Sequence, residues 1–287
     1  MGIIGPALAQ SISTLLNIAI LQFVLLQKSD MKEMFFWPTK ESVDGIFNYI
    51  KIGFFGMCII WLEWCAFEFL TLMSGYLDVD STGAQIILFN FECLIFMPAM
   101  AMSWACSSLV GKYIGEGNHG LAKRFSMGFM KLCLAQTMFQ QIIIIIARYY
   151  ISVVYTDVES VRIKVENCLF IIAFGQFFNQ MQAVCQGTMR GLGNLQAASL
   201  ICAIAYYGFA IPLGYIFTFI VGNDGKGWGL NGLWYGMFSG QFVLVVLYQY
   251  YIHKKTDWAE CSRIAKERTE KDAKLINQPS AQVDDSN

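Results

Sequence analysis

Long stretches without a charged side chain dominate the pattern of this chain. Residues 1–27, 167–189, 191–223 and 227–252 contain no Asp, Glu, Lys or Arg. Each stretch is long enough to cross about 30 Å of hydrocarbon as an α-helix. Together with the apolar segments between them, they predict seven membrane-spanning helices, at about 3–27, 47–76, 83–110, 125–150, 163–188, 196–221 and 229–252.

Glycine and proline residues mark special positions in these spans. Gly232, Gly236 and Gly240 recur every four residues in the last span, a spacing that predicts close packing against a neighbouring helix. Pro98 and Pro212 lie inside spans and are expected to kink or break them. The segment "RGLGN" at 190–194 predicts a short turn between two spans.

The chain becomes polar after the last span. The segment "DWAECSRIAKERTEKDAKL" has the pattern of an amphipathic helix at the membrane surface. The final residues, "NQPSAQVDDSN", have the composition of a disordered segment.

Composition agrees with an integral, multi-pass membrane protein whose main surroundings are the lipid bilayer. Hydrophobic residues make up 56% of the 287 residues, charged residues only 14%, and the net charge is −1. This neutral balance gives no indication of a nucleic-acid partner. The nine cysteines form no CxxC pair, and the two histidines, His119 and His253, are far apart. We therefore predict no metal site and no cofactor.

The distribution of lysine and arginine predicts the orientation. One set of loops, together with the start of the tail, carries eleven basic residues, and the other set carries four. Because basic residues accumulate on the cytoplasmic side, the first set is expected inside the cell. The C-terminus is then cytoplasmic and the N-terminus lies outside.

Three acidic residues lie within predicted spans. Glu63 and Glu68 occur in the second span and Glu92 in the third, and none has a basic residue three or four positions away. Such acids are costly in lipid. Two interpretations stay open: a carboxyl group that is protonated or reaches the interface, or a site that exchanges protons and cations. Glu63 and Glu68 lie about 140° apart around the helix and cannot face one point.

Three function classes are compatible with seven spans. A seven-span receptor is a distant alternative, because the third span lacks a DRY-like triplet and the last span lacks NPxxY. An enzyme is not predicted, because no catalytic set of side chains is present. A secondary transporter accounts for the intramembrane acids, the prolines and the glycines together.

Several motifs, in order, resemble one transporter family. The segment "LEWCAFEFLTLMSG" resembles the "EWW..E…SG" stretch of eukaryotic multidrug and toxic compound extrusion (MATE) transporters. "FMPAMAMSWACSSLVGKYIGEGNHGLAKR" and "QAVCQGTMRGLGNLQ" are similar to two further family segments, and "AYYGFAIPLGYIF", "GLNGLWYGMFSGQ" and "TDW" follow in family order. The resemblance covers about residues 1–258.

The resemblance implies an all-α membrane fold and a function. Family members have twelve core helices in two lobes, and this chain corresponds to the sixth helix and the whole second lobe. The implied activity is export of organic cations or other xenobiotics in exchange for protons. Glu63 and Glu68 match the family glutamates that handle protons and cations. Trp64, Asn90 and Asn179 are candidate cavity-lining residues, and Asn179 replaces an acid that eukaryotic members carry.

The expected organisation follows. Residues 1–27 form a transmembrane helix, 28–46 a cytoplasmic loop, 47–253 a six-helix lobe and 254–287 a cytoplasmic tail. The expected partners are a small organic substrate, protons and a missing N-terminal lobe or second chain. The alternative is a truncated lobe that does not transport without such a partner. The sequence leaves both the plasma membrane and an internal vesicle or vacuole membrane open, and it assigns no role to Glu92.

Overall fold

A computed structural model describes residues 4–27, 46–222 and 227–276, and these residues are almost entirely helical. Nine α-helices occur in the described residues, with π-helical turns at 204–210 and 251–255. They are α1 (Ile4–Gln27), α2 (Ile46–Ser74), α3 (Val79–Gly115), α4 (His119–Tyr155), α5 (Glu159–Gly191), α6 (Leu195–Ala203), α7 (Ile211–Phe219), α8 (Leu230–Tyr250) and α9 (Trp258–Ile276).

Seven helical segments in the described residues are long and apolar enough to cross a membrane. The predicted number of spans is confirmed. The spans α3 and α4 begin earlier than predicted because polar residues cap their first turns: Asp78 accepts a hydrogen bond from the Ser81 N–H at 2.7 Å, and Asn118 accepts one from the Leu121 N–H at 3.1 Å. The salt bridge from Lys164 and the Ser81 N–H also lower the pKa of Asp78 to about 2.

The chain divides after Ile50 into two units. The first contains α1, an apolar helix of 24 residues. The second contains the buried core, and α5 lies at its centre, packed against α3, α4 and α8. Since α5 has buried residues on all sides, it is a core helix rather than a lipid-facing one.

The predicted role of the glycines in the last span is confirmed. A Cβ atom at Gly236 would lie 2.2 Å from the Cα of Gly214 on α7, and added Cβ atoms at Gly232 and Gly240 would also meet α7 or the turn before it at under 3 Å. The two helices approach closely because these positions lack side chains.

The two prolines have different effects. Helix α3 continues through Pro98 to Gly115, so this proline does not end the helix. Pro212 lies at the start of α7, directly after the π-helical turn 204–210, where the regular α-helix is interrupted. The "RGLGN" segment forms the predicted turn between α5 and α6, with Gly193 at φ 76°.

The predicted amphipathic helix of the tail is confirmed as α9, which packs against α3 and α4. The hydroxyl of Ser262 donates a buried hydrogen bond of 2.9 Å to the carbonyl oxygen of Ile114, and the Trp258 indole donates to the carbonyl of Ile252 at 3.3 Å. The segment predicted to be disordered lies outside the described residues.

These contacts predict the effect of deleting the tail after Trp258. Membrane insertion should be unchanged, since α9 is not a candidate span, but the unfolding temperature should fall because the buried contacts with α3 are lost. Alkaline extraction of membranes and thermal unfolding of purified protein measure the two effects. Ser262→Ala in the full chain should give a smaller loss of stability, of about 1 kcal/mol. A chain that is extracted at alkaline pH after the deletion would contradict this prediction.

Candidate functional site

An open pocket lies between α2, α3 and α5. Most of its wall is apolar, and two methionines, Met97 and Met100, add flexible side chains. The aromatic residues of the wall are Trp64, Phe67, Phe89, Phe96 and Trp104. Such a wall suits a flat, apolar molecule, and aromatic faces also attract cations.

Glu63 presents its carboxylate to this pocket from α2. One carboxylate oxygen, Oε1, accepts hydrogen bonds from Gln182 Nε2 at 2.7 Å and from the Tyr206 hydroxyl at 3.1 Å. The other, Oε2, accepts from Gln186 Nε2 at 3.4 Å. Three donors therefore hold the Glu63 carboxylate in a fixed position, and the side chain is only partly buried.

Glu92 lines the same pocket from α3 and is 2% exposed. Asn179 Nδ2 donates to its Oε1 and Gln176 Nε2 donates to its Oε2, each at 2.7 Å. Both donors are neutral amides on α5. A buried carboxylate without a hydrogen-bonded cation is an energetically costly arrangement.

A continuous chain of hydrogen bonds joins the two acids. Gln182 Nε2, which donates to Glu63, lies 3.4 Å from Asn179 Oδ1, and Asn179 donates to Glu92. Gln241 on α8 donates to the same Asn179 oxygen at 3.0 Å. Since Asn179 and Gln182 are three residues apart, they lie on one face of α5, about one turn apart.

One basic residue lies at the pocket. Arg190, in the last turn of α5, lines the wall and donates through Nη2 to the Ser103 hydroxyl at 2.6 Å. Ser103 in turn donates to the carbonyl oxygen of Ala183. Among the described lining residues the charged groups are thus two acids and one arginine.

The structure brings together only part of the predicted site. Glu63, Trp64 and Asn179 line the pocket. Glu68 lies on the exposed side of α2, outside the pocket, as expected from its angular separation from Glu63. Asn90, a predicted cavity-lining residue, is also outside it, and its amide donates to the carbonyl of Ile86 at 2.8 Å. Because Glu92 is about 200° further around α3 than Asn90, Glu92 faces the pocket instead.

Of the four amides that surround these acids, the sequence analysis identified only Asn179 and missed the three glutamines. Gln176, Asn179, Gln182 and Gln186 are spaced by three, three and four residues in a stretch without charges. Such spacing places them on one face of a helix. A row of amides inside an apolar span is the signal that identifies this network.

Comparison with known proteins decides the family. The family model MatE matches residues 55–216. The chain belongs to the MatE family. The match covers α2 from its third turn through most of α7, and so includes every residue that lines the pocket.

Curated MatE relatives are similar over nearly the whole chain. Multidrug and toxin extrusion protein 1 of Xenopus tropicalis is 22% identical over 98% of this chain and 48% of its own length. Multidrug and toxin extrusion protein 2 of Oryctolagus cuniculus is 27% identical over 96% of this chain and 44% of its own length. The chain spans about half the length of these relatives.

A solved structure has the same fold. The crystal structure of the eukaryotic MATE transporter AtDTX14 superposes with a TM-score of 0.83 at 23% identity, covering 91% of this chain and 58% of that chain. The chain is therefore an all-α, multi-pass membrane protein with the fold of a MatE lobe. Members of this family are membrane transporters rather than enzymes.

Proposed function

We propose that this chain forms the substrate-binding lobe of a transporter that exports organic cations in exchange for protons. The observation that carries the proposal is the Glu63 carboxylate, held by three hydrogen-bond donors at the wall of an aromatic pocket. A carboxylate supplies the charge that attracts a cation, and the surrounding rings supply apolar contacts. The family assignment and the names of the curated relatives support this choice.

The proposed lobe comprises residues 47–253, with the tail from residue 254 in the cytoplasm and the N-terminus outside. In the exchange, a cation and a proton compete for the acids of the pocket. An acid that carries a proton in the empty pocket releases it when the cation binds. The aromatic wall favours a flat molecule, and exchange for one proton favours a single positive charge, so the proposed substrate class is a flat, monovalent organic cation.

Binding of ethidium, a fluorescent organic cation, to the chain in lipid nanodiscs tests the proposal. Fluorescence anisotropy should show saturable binding that becomes tighter as the pH rises, because deprotonated acids bind the cation. The sign follows from competition: at low pH the proton occupies the site. Absence of saturable binding at alkaline pH, or tighter binding at acidic pH, would contradict the proposal.

A second candidate function is a lobe that binds cations but does not transport them alone. The observation that favours it is that the chain spans about half the length of its relatives. Alternating access in transporters built from repeats needs one lobe to move against another. Purified chain in proteoliposomes with a pH gradient should then bind ethidium without accumulating it. Accumulation by protein shown to be monomeric would rule this candidate out.

A further inference from the structure

The two acids of the pocket are stabilised unequally. Glu63 accepts hydrogen bonds from three side chains and is partly exposed. Glu92 accepts from two neutral amides and is almost completely buried, with 2% exposure. Because burial disfavours a charge and hydrogen-bond donors favour it, the ionised form of Glu92, with fewer donors and deeper burial, has less support than that of Glu63.

The charges of the pocket are balanced when one of its acids carries a proton. If Arg190 and both acids are ionised, the pocket carries a net charge of −1. A proton on one acid makes the empty pocket neutral, and a monovalent cation that replaces this proton leaves it neutral again. Burial of net charge in a membrane protein is costly, so this balance favours an exchange of one proton for one cation.

We infer that Glu92 holds the proton that is exchanged, whereas Glu63 remains ionised and contacts the organic cation. This inference rests on the proposed function. Asn179 and Gln176 are positioning residues, since they orient Glu92 toward the pocket. Through Gln182 and Asn179, a change of charge at one acid reaches the other by a continuous chain of hydrogen bonds.

The amides around Glu92 can form hydrogen bonds with both its ionised and its protonated form. An amide can donate to a carboxylate and can accept from a protonated carboxyl group after rotation by half a turn. The side-chain oxygen of Gln176 is buried without a hydrogen-bond partner among the described residues. Rotation of this amide would present that oxygen to the proton on Glu92. The arrangement therefore accommodates loss and gain of the proton without a change in the backbone.

The other titratable groups at the pocket are not hydrogen-bonded to Glu92. In the part of the chain that the structure describes, those that line the pocket or are hydrogen-bonded to one of its acids are Cys93 on α3, Arg190 on α5 and Tyr206 in the turn after α6. Tyr206 donates to Glu63, and Arg190 contacts Ser103. Neither the arginine nor the tyrosine is hydrogen-bonded to Glu92, so neither takes the place of a proton in balancing the negative charge of this carboxylate.

Glu92→Gln separates the two roles. In nanodiscs, this variant mimics the protonated acid, so at every pH it should bind ethidium with about the weaker affinity that the unaltered chain has at acidic pH. Glu92→Asp should restore the pH dependence, because it keeps a carboxyl group. Thermal unfolding of each variant verifies that it is folded. Unchanged pH dependence in a folded Glu92→Gln chain would overturn the inference, as would binding as tight as that of the unaltered chain at alkaline pH.

Infrared spectroscopy tests the position of the proton without any cation. A difference spectrum between acidic and alkaline pH should show the carbonyl band of a protonated carboxyl group, and this band should be missing in Glu92→Gln and present in Glu63→Gln. A band lost only in Glu63→Gln would overturn the inference. Failure of ethidium to bind the unaltered chain would instead contradict the proposed function, so the two failures are distinguishable.

Discussion

Glu63→Gln should weaken ethidium binding by about tenfold to a hundredfold, because hydrogen bonds and ion contacts to a charged group are worth about 1.5–3 kcal/mol. Glutamine keeps the volume of the side chain and can still interact with Gln182, Gln186 and Tyr206. The substitution removes only the negative charge that the cation contacts. Binding isotherms at alkaline pH, in nanodiscs, give the affinity directly.

Glu68→Gln is the matched control for this prediction. It makes the same chemical change on the same helix, but Glu68 is exposed and does not line the pocket. Its affinity for ethidium should stay within about twofold of the unaltered chain. Equal losses in the two variants would show that the effect of Glu63→Gln comes from the charge of α2 in general and not from the pocket.

Gly236→Ala should lower the stability of the lobe by about 1–3 kcal/mol. A Cβ atom at this position would lie 2.2 Å from both the Cα and the backbone nitrogen of Gly214 on α7. Because both atoms belong to the backbone, no side-chain rotation relieves the contact, and α7 and α8 must move apart. Thermal unfolding of purified protein in detergent measures the loss.

Gly128→Ala is the corresponding control. This glycine lies on the exposed side of α4, and an added Cβ atom would meet no other atom within 4 Å. Alanine also favours a helix over glycine by up to about 1 kcal/mol, so the unfolding temperature should stay the same or rise. A similar fall in both variants would contradict the packing argument.

Much of the fold could be predicted from the sequence because the membrane restricts the possible structures. A charge-free stretch of more than 20 residues in such a chain must form a helix, since its backbone polar groups need internal partners. The seven spans and α9 therefore follow from hydropathy and amphipathic spacing. The ends of α3 and α4 do not, because their caps, Asp78 and Asn118, lie outside the apolar stretches.

The site is only partly predictable, because a sequence motif does not show which side of its helix faces the pocket. The sequence predicts both Glu63 and Glu68 as site residues, and the structure places only Glu63 at the pocket, in agreement with the angle between them. Glu92 received no role, since its contribution depends on α5 presenting Asn179 and Gln176 to it. That contact joins residues more than 80 positions apart, and only the packing of α3 against α5 reveals it.

Isothermal titration of the chain with ethidium, in buffers of different ionisation enthalpy, tests the central claim most directly. The buffer dependence of the observed heat gives the number of protons released for each cation bound. At neutral pH about one proton should be released for each ethidium bound, as the charge balance of Glu63, Glu92 and Arg190 requires. Saturable binding with no proton released at any pH would contradict exchange of a cation for a proton in this pocket.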